Sequence, residues 1–375
     1  MYNVLFLKIK LIVVVMNMHK FQFHLVSFLA LVLLVSGCQN EVTDSFRPVP
    51  VAVGKVNQIN VICDLEMWES HVGDSLRYYY QGPYLILPQP EPLFDLRHFT
   101  PDNIDHQPLL KELTNYIIIA NLNDDDSKTT QLVKKDLGEA NIQRSKEDLS
   151  YNCPVSKDRW AKNQFVFYQF AWSHDQLAQN IVDNFPGVSK KILDHDLPLI
   201  ERAVFHSGNN ITAQNRALTN FGADLSIPAD YMQAVDDGDV MWLRRSSDKY
   251  NSNLLITTVP YTDQGQLTPE GLKKIRDDIG RKYISSTIEG SFVKINDTDL
   301  PMFTSVKTVN GNYVLEARGI WEMVNDYMAG PFISYLVHNP EKKELLYVDG
   351  FVLAPNKAKR DYMQHLEYIL RGVNY

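Results

Sequence analysis

Hydrophobic positions recur along this chain with two periods, and each change of period marks an element boundary. Gln58–Cys63 is a short apolar run of strand type. After Asp64, the residues Leu65, Trp68, Val72, Leu76 and Tyr79 fall three and four apart, which predicts a helix capped by Asp64. A proline-rich stretch, Leu87–Asn103, reads as a loop. A short helix over Pro108–Asn115, a strand over Tyr116–Ala120 and a helix from Thr129 that stops at Gly138 are expected next. Trp160–Ala171 has the aromatic crowding of a strand. Ser173, with Gln176 three residues on, has the capping-box pattern of a helix start. A second helical stretch, Pro186–Phe205, holds Pro198, which should kink or end it because proline lacks the amide donor and clashes with the preceding turn.

Beyond Asn209-Asn210 the pattern becomes more antiparallel. Asp239–Arg245 and Asn253–Pro260 are predicted strands, and Thr268-Pro269 starts a helix whose stripe is Leu272, Ile275, Ile279 and Tyr283. The clearest local signal is MFTSVKTVNGNYVLEAR, where two strand-like runs flank Asn310-Gly311, the pair suited to a type I′ turn. A second hairpin, Phe332–Val337 with Glu344–Leu353, turns at Asn339-Pro340, and a last helix over Lys357–Leu370 buries Tyr362, Leu366 and Ile369. These elements predict an α+β fold of two sub-domains, with mainly antiparallel sheets covered by helices on one face. The sub-domains are residues 51–208, an α/β part, and residues 209–375, an α+β part.

The N-terminus follows different rules. His24–Val35 is a twelve-residue apolar run behind Lys20, shorter than the roughly 20 residues a membrane-spanning helix needs and of signal-peptide length. It ends Val35-Ser36-Gly37-Cys38, an aliphatic residue and two small ones before a cysteine, which is the lipobox pattern. Residues 1–37 are therefore expected to be a lipoprotein signal peptide and Cys38 the lipidated residue. The apolar stretch before Met16 exceeds what such a signal needs, so initiation at Met16 or Met18 is expected. Two or three acyl chains, each contributing about 0.8 kcal/mol per buried CH₂, would hold the mature chain on a membrane. Gln39 follows the cysteine where aspartate would favour inner-membrane retention, so the expected location is the outer membrane, its periplasmic face before the cell surface. Residues 38–50 read as a tether.

Removing residues 1–37, which carry Lys8, Lys10 and Lys20 and no acid, takes the formal net charge from −8 to −11. A chain this acidic, without a basic stripe, is unsuited to nucleic acid. Cys63 and Cys153 remain, and two readings stand: a disulfide, in an oxidising compartment, or free thiols, with Cys63 a small hydrophobe closing its strand.

The sequence holds no Gly-x-Ser-x-Gly elbow, His-Glu-x-x-His, Cys-x-x-Cys or dinucleotide fingerprint, so no catalytic residue, cofactor or metal is assigned. Asp124-Asp125-Asp126 lacks the spacing of a calcium loop and reads as solvated. Asp194-His195-Asp196 reads as a polar helix face, since adjacent helical residues point apart. Two segments are candidate binding rims. One carries Glu91, Asp95 and Arg97 among prolines; the other carries Arg318, Trp321 and Glu322 among glycines. Their structural alternatives are a packed loop burying Leu93, Phe94 and Leu96, and a buried Arg–Glu pair beside a tryptophan.

Those segments, with INVICDLEMWE, the lipobox and the closing YVDGFVLAPNKAKRDYMQHLEYIL, resemble a family of Bacteroidota lipoproteins known as domain of unknown function 4837, over about residues 40–372. The resemblance implies an envelope lipoprotein and no activity. The expected function is a non-enzymatic module that binds an envelope protein or glycan, with a hydrolase of dispersed acid and base residues as the alternative.

Overall fold

The structure is a computed structural model that describes residues 49–375. Cys38 and residues 1–37, the expected signal peptide, lie outside the described residues. Residues 52–375 form one compact unit built on two sheets.

The first half alternates strand and helix: β1 (Gln58–Ile62), α1 (Leu65–Glu69), α2 (His71–Tyr80), β2 (Asp95–Phe99), α3 (Pro101–His106), β3 (Asn115–Asn121), α4 (Lys128–Glu147), β4 (Val155–Lys157), β5 (Phe165–Ala171) and α5 (His174–Val204). The strand order is β2-β1-β3-β5-β4. β1, β2, β3 and β5 are mutually parallel, and only β4 is antiparallel to its neighbour. Helical connections after β1, β2 and β3 return the chain to the starting end of the strands, and that connection makes parallel neighbours, whereas β4 passes directly into β5. Here the antiparallel expectation gives way. The sheet is also covered on both faces. Val72, Leu76, Leu177 and Ile181 pack with Ile117 and Ile119 on one face, and Ile104 and Val133 with Tyr116 and Ile118 on the other. That two-sided burial is why β3 is an unbroken apolar run.

Several local expectations shift. The predicted helix after Asp64 is two helices, because Ser70 turns the chain and accepts the Val72 N–H at 3.2 Å. The proline-rich loop contains the edge strand β2. α4 changes direction at Gly138 (φ 76°) and resumes to Glu147. α5 runs unbroken for 31 residues through both Pro186 and Pro198. Burial of Ile181, Val188, Ile192 and Ile200 along one stripe overrides the local cost of the prolines.

The second half comprises α6 (Ile211–Phe221), β6 (Met232–Asp236), β7 (Val240–Ser246), β8 (Asn251–Pro260), α7 (Pro269–Tyr283), β9 (Phe292–Asn296), β10 (Phe303–Val309), β11 (Asn312–Val324), β12 (Ala329–His338), β13 (Glu344–Leu353) and α8 (Arg360–Arg371). Its eight-stranded sheet, ordered β10-β11-β12-β13-β8-β7-β6 with β9 beside the far end of β11, is antiparallel as expected. Asn310 and Gly311 both take positive φ, 47° and 84°, in the predicted β10–β11 turn. Asn310 Nδ2 also donates to the Val373 carbonyl at 3.0 Å, docking the hairpin just past the end of α8. Helices cover both faces of this sheet too. α8 buries Met363, Leu366 and Ile369 on one, and α7 buries Leu272 and Ile279 on the other.

The two sheets share α5. Its Leu177, Ile181, Val188 and Ile192 belong to the first core. Its Ile200 and Val204 join Tyr84 and Leu87 in the core under α8.

Candidate functional site

A cavity of ≈ 510 Å³ opens between the two halves. Four segments far apart in sequence wall it: the Pro83–Leu85 turn after α2, the second half of α5, the β10–β11 hairpin and α8. Leu85, Leu193, Leu197, Ile200 and Phe303 give it aliphatic and aromatic sides. Leu85 and Phe303 are each about half exposed, at 53% and 45%.

Its floor is charged. Glu316 and Arg318, two apart on β11, share one face of the strand. Arg318 Nε donates to Glu316 Oε1 at 2.8 Å, and its Nη2 lies 2.9 Å from Glu367 Oε1 on α8. The Tyr84 hydroxyl accepts from Arg318 Nη1 at 3.3 Å and donates to Glu367 Oε2 at 3.0 Å. Lys307 on β10 and Arg371 on α8 complete the set, at 2.6 Å from Glu316 and 2.7 Å from Glu367. Burial alone would raise both carboxyl pKa values. The cations beside them outweigh it, holding Glu316 below its ordinary range and drawing Glu367 down to about 2. Burial likewise disfavours the Arg318 cation, and Glu367, Tyr84 and Glu316 reverse that, so Arg318 stays charged. Both acids are therefore ionised bases without a proton to give at neutral pH.

The second candidate rim does not come together as one cluster. Arg318 faces this cavity. Trp321 lies on the opposite face of β11, its Nε1 donating to the Val352 carbonyl at 3.2 Å. Glu322 pairs with Lys294 at 3.1 Å and accepts from Asn296 at 2.9 Å, both on β9.

The first rim is a clasp between the halves. Glu91 accepts the backbone N–H groups of Lys359 and Arg360 at 2.6 and 3.0 Å, capping α8 where Lys359 offers no side-chain cap. Asp95 pairs with Arg360 at 2.8 Å, while exposed Arg97 lies over the Phe99 ring. Phe94 is fully buried and Leu93 and Leu96 are half-buried, so the packed-loop reading is met in full only at Phe94.

Asp194, His195 and Asp196 point three ways: to Lys190, to the edge of Phe165, and to the Asn57 backbone N–H. Asp124 holds its own turn by accepting from the Asp126 and Ser127 N–H groups. Among the described residues no cluster of His, Cys, Asp and Glu suits a metal. Cys63 and Cys153 are free thiols, each pushed up to about 12 by burial, so the disulfide reading is not met. No helix among the described residues is long and apolar enough to cross a membrane.

Sequence reasoning found Arg318 but missed Tyr84, Glu316, Glu367, Leu197 and Phe303. Only the Glu367–Arg371 spacing, four apart on an amphipathic helix, is a local signal.

The fold is thus an antiparallel α+β layer joined to a smaller parallel α/β layer, with a mostly apolar cavity between them. Residues 210–372 match the family described as Domain of unknown function (DUF4837). Residues 52–204 match a second one, Domain of unknown function (DUF8532), so of the expected reach of residues 40–372 the DUF4837 match covers 210–372. A comparison with curated proteins finds no match. Among solved structures, similarity extends to the Ran-binding protein Mog1p of Saccharomyces cerevisiae, at 9% identity and TM-score 0.28 over 42% of this chain and 92% of that one. Human STARD10 matches at 9% identity and TM-score 0.21, over 38% of this chain and 67% of that one. Scores this low define no shared fold.

Proposed function

We propose that this protein is a non-catalytic binding module, held at the outer membrane by lipid on Cys38, whose cavity beside Arg318 takes an apolar small molecule. The observation that carries this reading is the combination of walls and floor. The walls are mostly hydrocarbon, and the volume falls within the roughly 300–1,000 Å³ of small-molecule sites. The floor's charges are spent on one another, so a charged head group would find no counter-ion without breaking a buried pair. Apolar contact is what remains to recognise a ligand. A glycan would ask for many free polar groups, and here the charged groups are engaged with one another, leaving the Thr304 and Ser305 hydroxyls. A glycosidase-type hydrolase needs one carboxyl kept protonated, whereas Glu316 and Glu367 are both held ionised.

Titration with N-phenyl-1-naphthylamine, a neutral dye that brightens in apolar sites, tests the cavity. Saturable binding is expected, weakened at least tenfold by Leu197→Trp, which fills the space, and by Phe303→Asp at the half-exposed rim. Equal binding by both variants would remove the cavity from the account. The anchor has its own test. Cys38→Ala should lose metabolic labelling by an alkynyl fatty acid and leave the membrane fraction; persistent label would place the lipid elsewhere.

A further inference from the structure

The other face of the eight-stranded sheet holds a second cavity, ≈ 430 Å³, at the end of the sheet beyond α7. Trp242, Trp321, Phe351, Met323 and Met328 contribute its apolar walls. Trp321 and Trp242 approach Phe351 at ring-centroid distances of 5.8 and 6.1 Å, so the three rings form one connected aromatic surface.

One cation stands in this apolar setting. Arg244 lies on β7, two residues from Trp242 and on the same face of the strand. Its guanidinium sits over the Trp242 ring at 4.7 Å. Its Nε donates to Asn253 Oδ1 at 3.2 Å, and the same oxygen accepts the Trp242 indole N–H at 3.0 Å. Asn253 thereby orients both groups. No carboxylate lies within ion-pair distance of Arg244 among the described residues, in contrast to Arg276, Arg318 and Arg360, each of which has one. Asp326, the acid lining the cavity, accepts from the Tyr327 backbone N–H at 2.7 Å within its own turn. Burial lowers the Arg244 pKa with no neighbouring charge opposing it. Exposed Ser285 and Thr287 line the same cavity and bring hydroxyl groups to it.

We propose that this pocket is a second ligand site, distinct from the cavity beside Arg318, and that it takes a small ring-shaped molecule bearing a carboxylate. The carboxylate pairs with the free edge of the Arg244 guanidinium, whose fork matches two oxygens at once. The ring lies against Trp242, Trp321 and Phe351, and the Ser285–Thr287 hydroxyls meet its polar edge. Two sources share this chemistry, an aromatic acid and an acidic sugar.

Isothermal titration calorimetry of the full chain with 2-naphthoate and with glucuronate separates them. At least one acid is expected to bind saturably. Its affinity should fall at least tenfold in Arg244→Gln, and 2-naphthalenemethanol, which keeps a ring without the charge, should bind at least tenfold more weakly than the acid that binds. Ser285→Trp, at an exposed position on the rim, should also block binding, so the site remains testable if Arg244→Gln melts early. Binding by neither acid, an equal affinity for the neutral alcohol, or undiminished binding in both variants would each overturn the assignment. The apolar dye of the first cavity is expected to be unaffected by Ser285→Trp, which keeps the two sites distinguishable.

Discussion

Arg318→Ala is expected to lower the stability of the folded chain by about 3 to 5 kcal/mol, read from the midpoint of urea unfolding followed by circular dichroism. The size of the loss comes from what is left behind. Glu316 and Glu367 would stay buried and ionised at neutral pH, and the Tyr84 hydroxyl would lose its donor. If the group were a solvated rim, the same change would cost at most about 1 kcal/mol, and a loss that small would refute the buried-network account. A pH series adds an independent check. Glu367 is drawn down to about 2 in the fold, against about 4.3 for an unperturbed glutamate. A carboxyl depressed in the folded state stabilises it fully above the unfolded value and loses that contribution as pH falls through the folded one. Wild-type stability should therefore decline between about pH 4.3 and 2, and Arg318→Ala should flatten that decline.

Arg276→Ala should cost a similar amount, about 3 to 5 kcal/mol, for a related reason. Arg276 on α7 is 2% exposed, lies 3.2 Å from Asp349 and covers the Phe332 ring at 3.8 Å. Ser334 donates to the same aspartate at 2.6 Å. Burial raises the Asp349 pKa above its ordinary value, and Arg276 and Ser334 only partly oppose that. Without Arg276 the aspartate would be pushed up further, so the variant's deficit should shrink on acidification as Asp349 takes a proton. In both variants the deficit relative to wild type should therefore narrow in acid. A packed apolar pair, Arg276→Met with Asp349→Leu, should recover most of the loss, since a buried ion pair rarely exceeds well-packed hydrophobes in net stability. If the deficit does not narrow in acid, Asp349 is not the group left stranded.

How much could be read beforehand depends on how local each determinant is. The Asn310-Gly311 hairpin was legible because its turn needs two adjacent residues at positive φ and nothing from elsewhere. The start of α7 was legible for the same reason, with Thr268 accepting the Gly271 N–H at 3.1 Å. β2 was hidden because Asp95-Leu-Arg-His-Phe is an edge strand of mixed polarity directly behind Pro88, Pro90 and Pro92, and only pairing with β1 makes it a strand. The continuity of α5 was hidden because two prolines argue against it locally, while burial against both sheets decides it. The site follows the same rule. Arg318 could be singled out from its own surroundings, but Tyr84 meets it across 234 positions and Glu367 arrives on another element. No periodicity encodes a meeting of that kind.

The sharing of α5 also shapes the order in which the chain can be completed. A chain is made from its N-terminus, and domains tend to form as units as they emerge. The first sheet and α5 are finished at Val204, before any strand of the second sheet exists. Tyr84, Leu87, Ile200 and Val204 then await Leu254, Ile333, Leu346 and Leu366, with which they share a core. The growing chain therefore passes through an interval with a preformed apolar ledge uncovered. In the folded chain the second half covers that ledge, and its last helix, α8, adds Met363, Leu366, Ile369 and Leu370 to the cover.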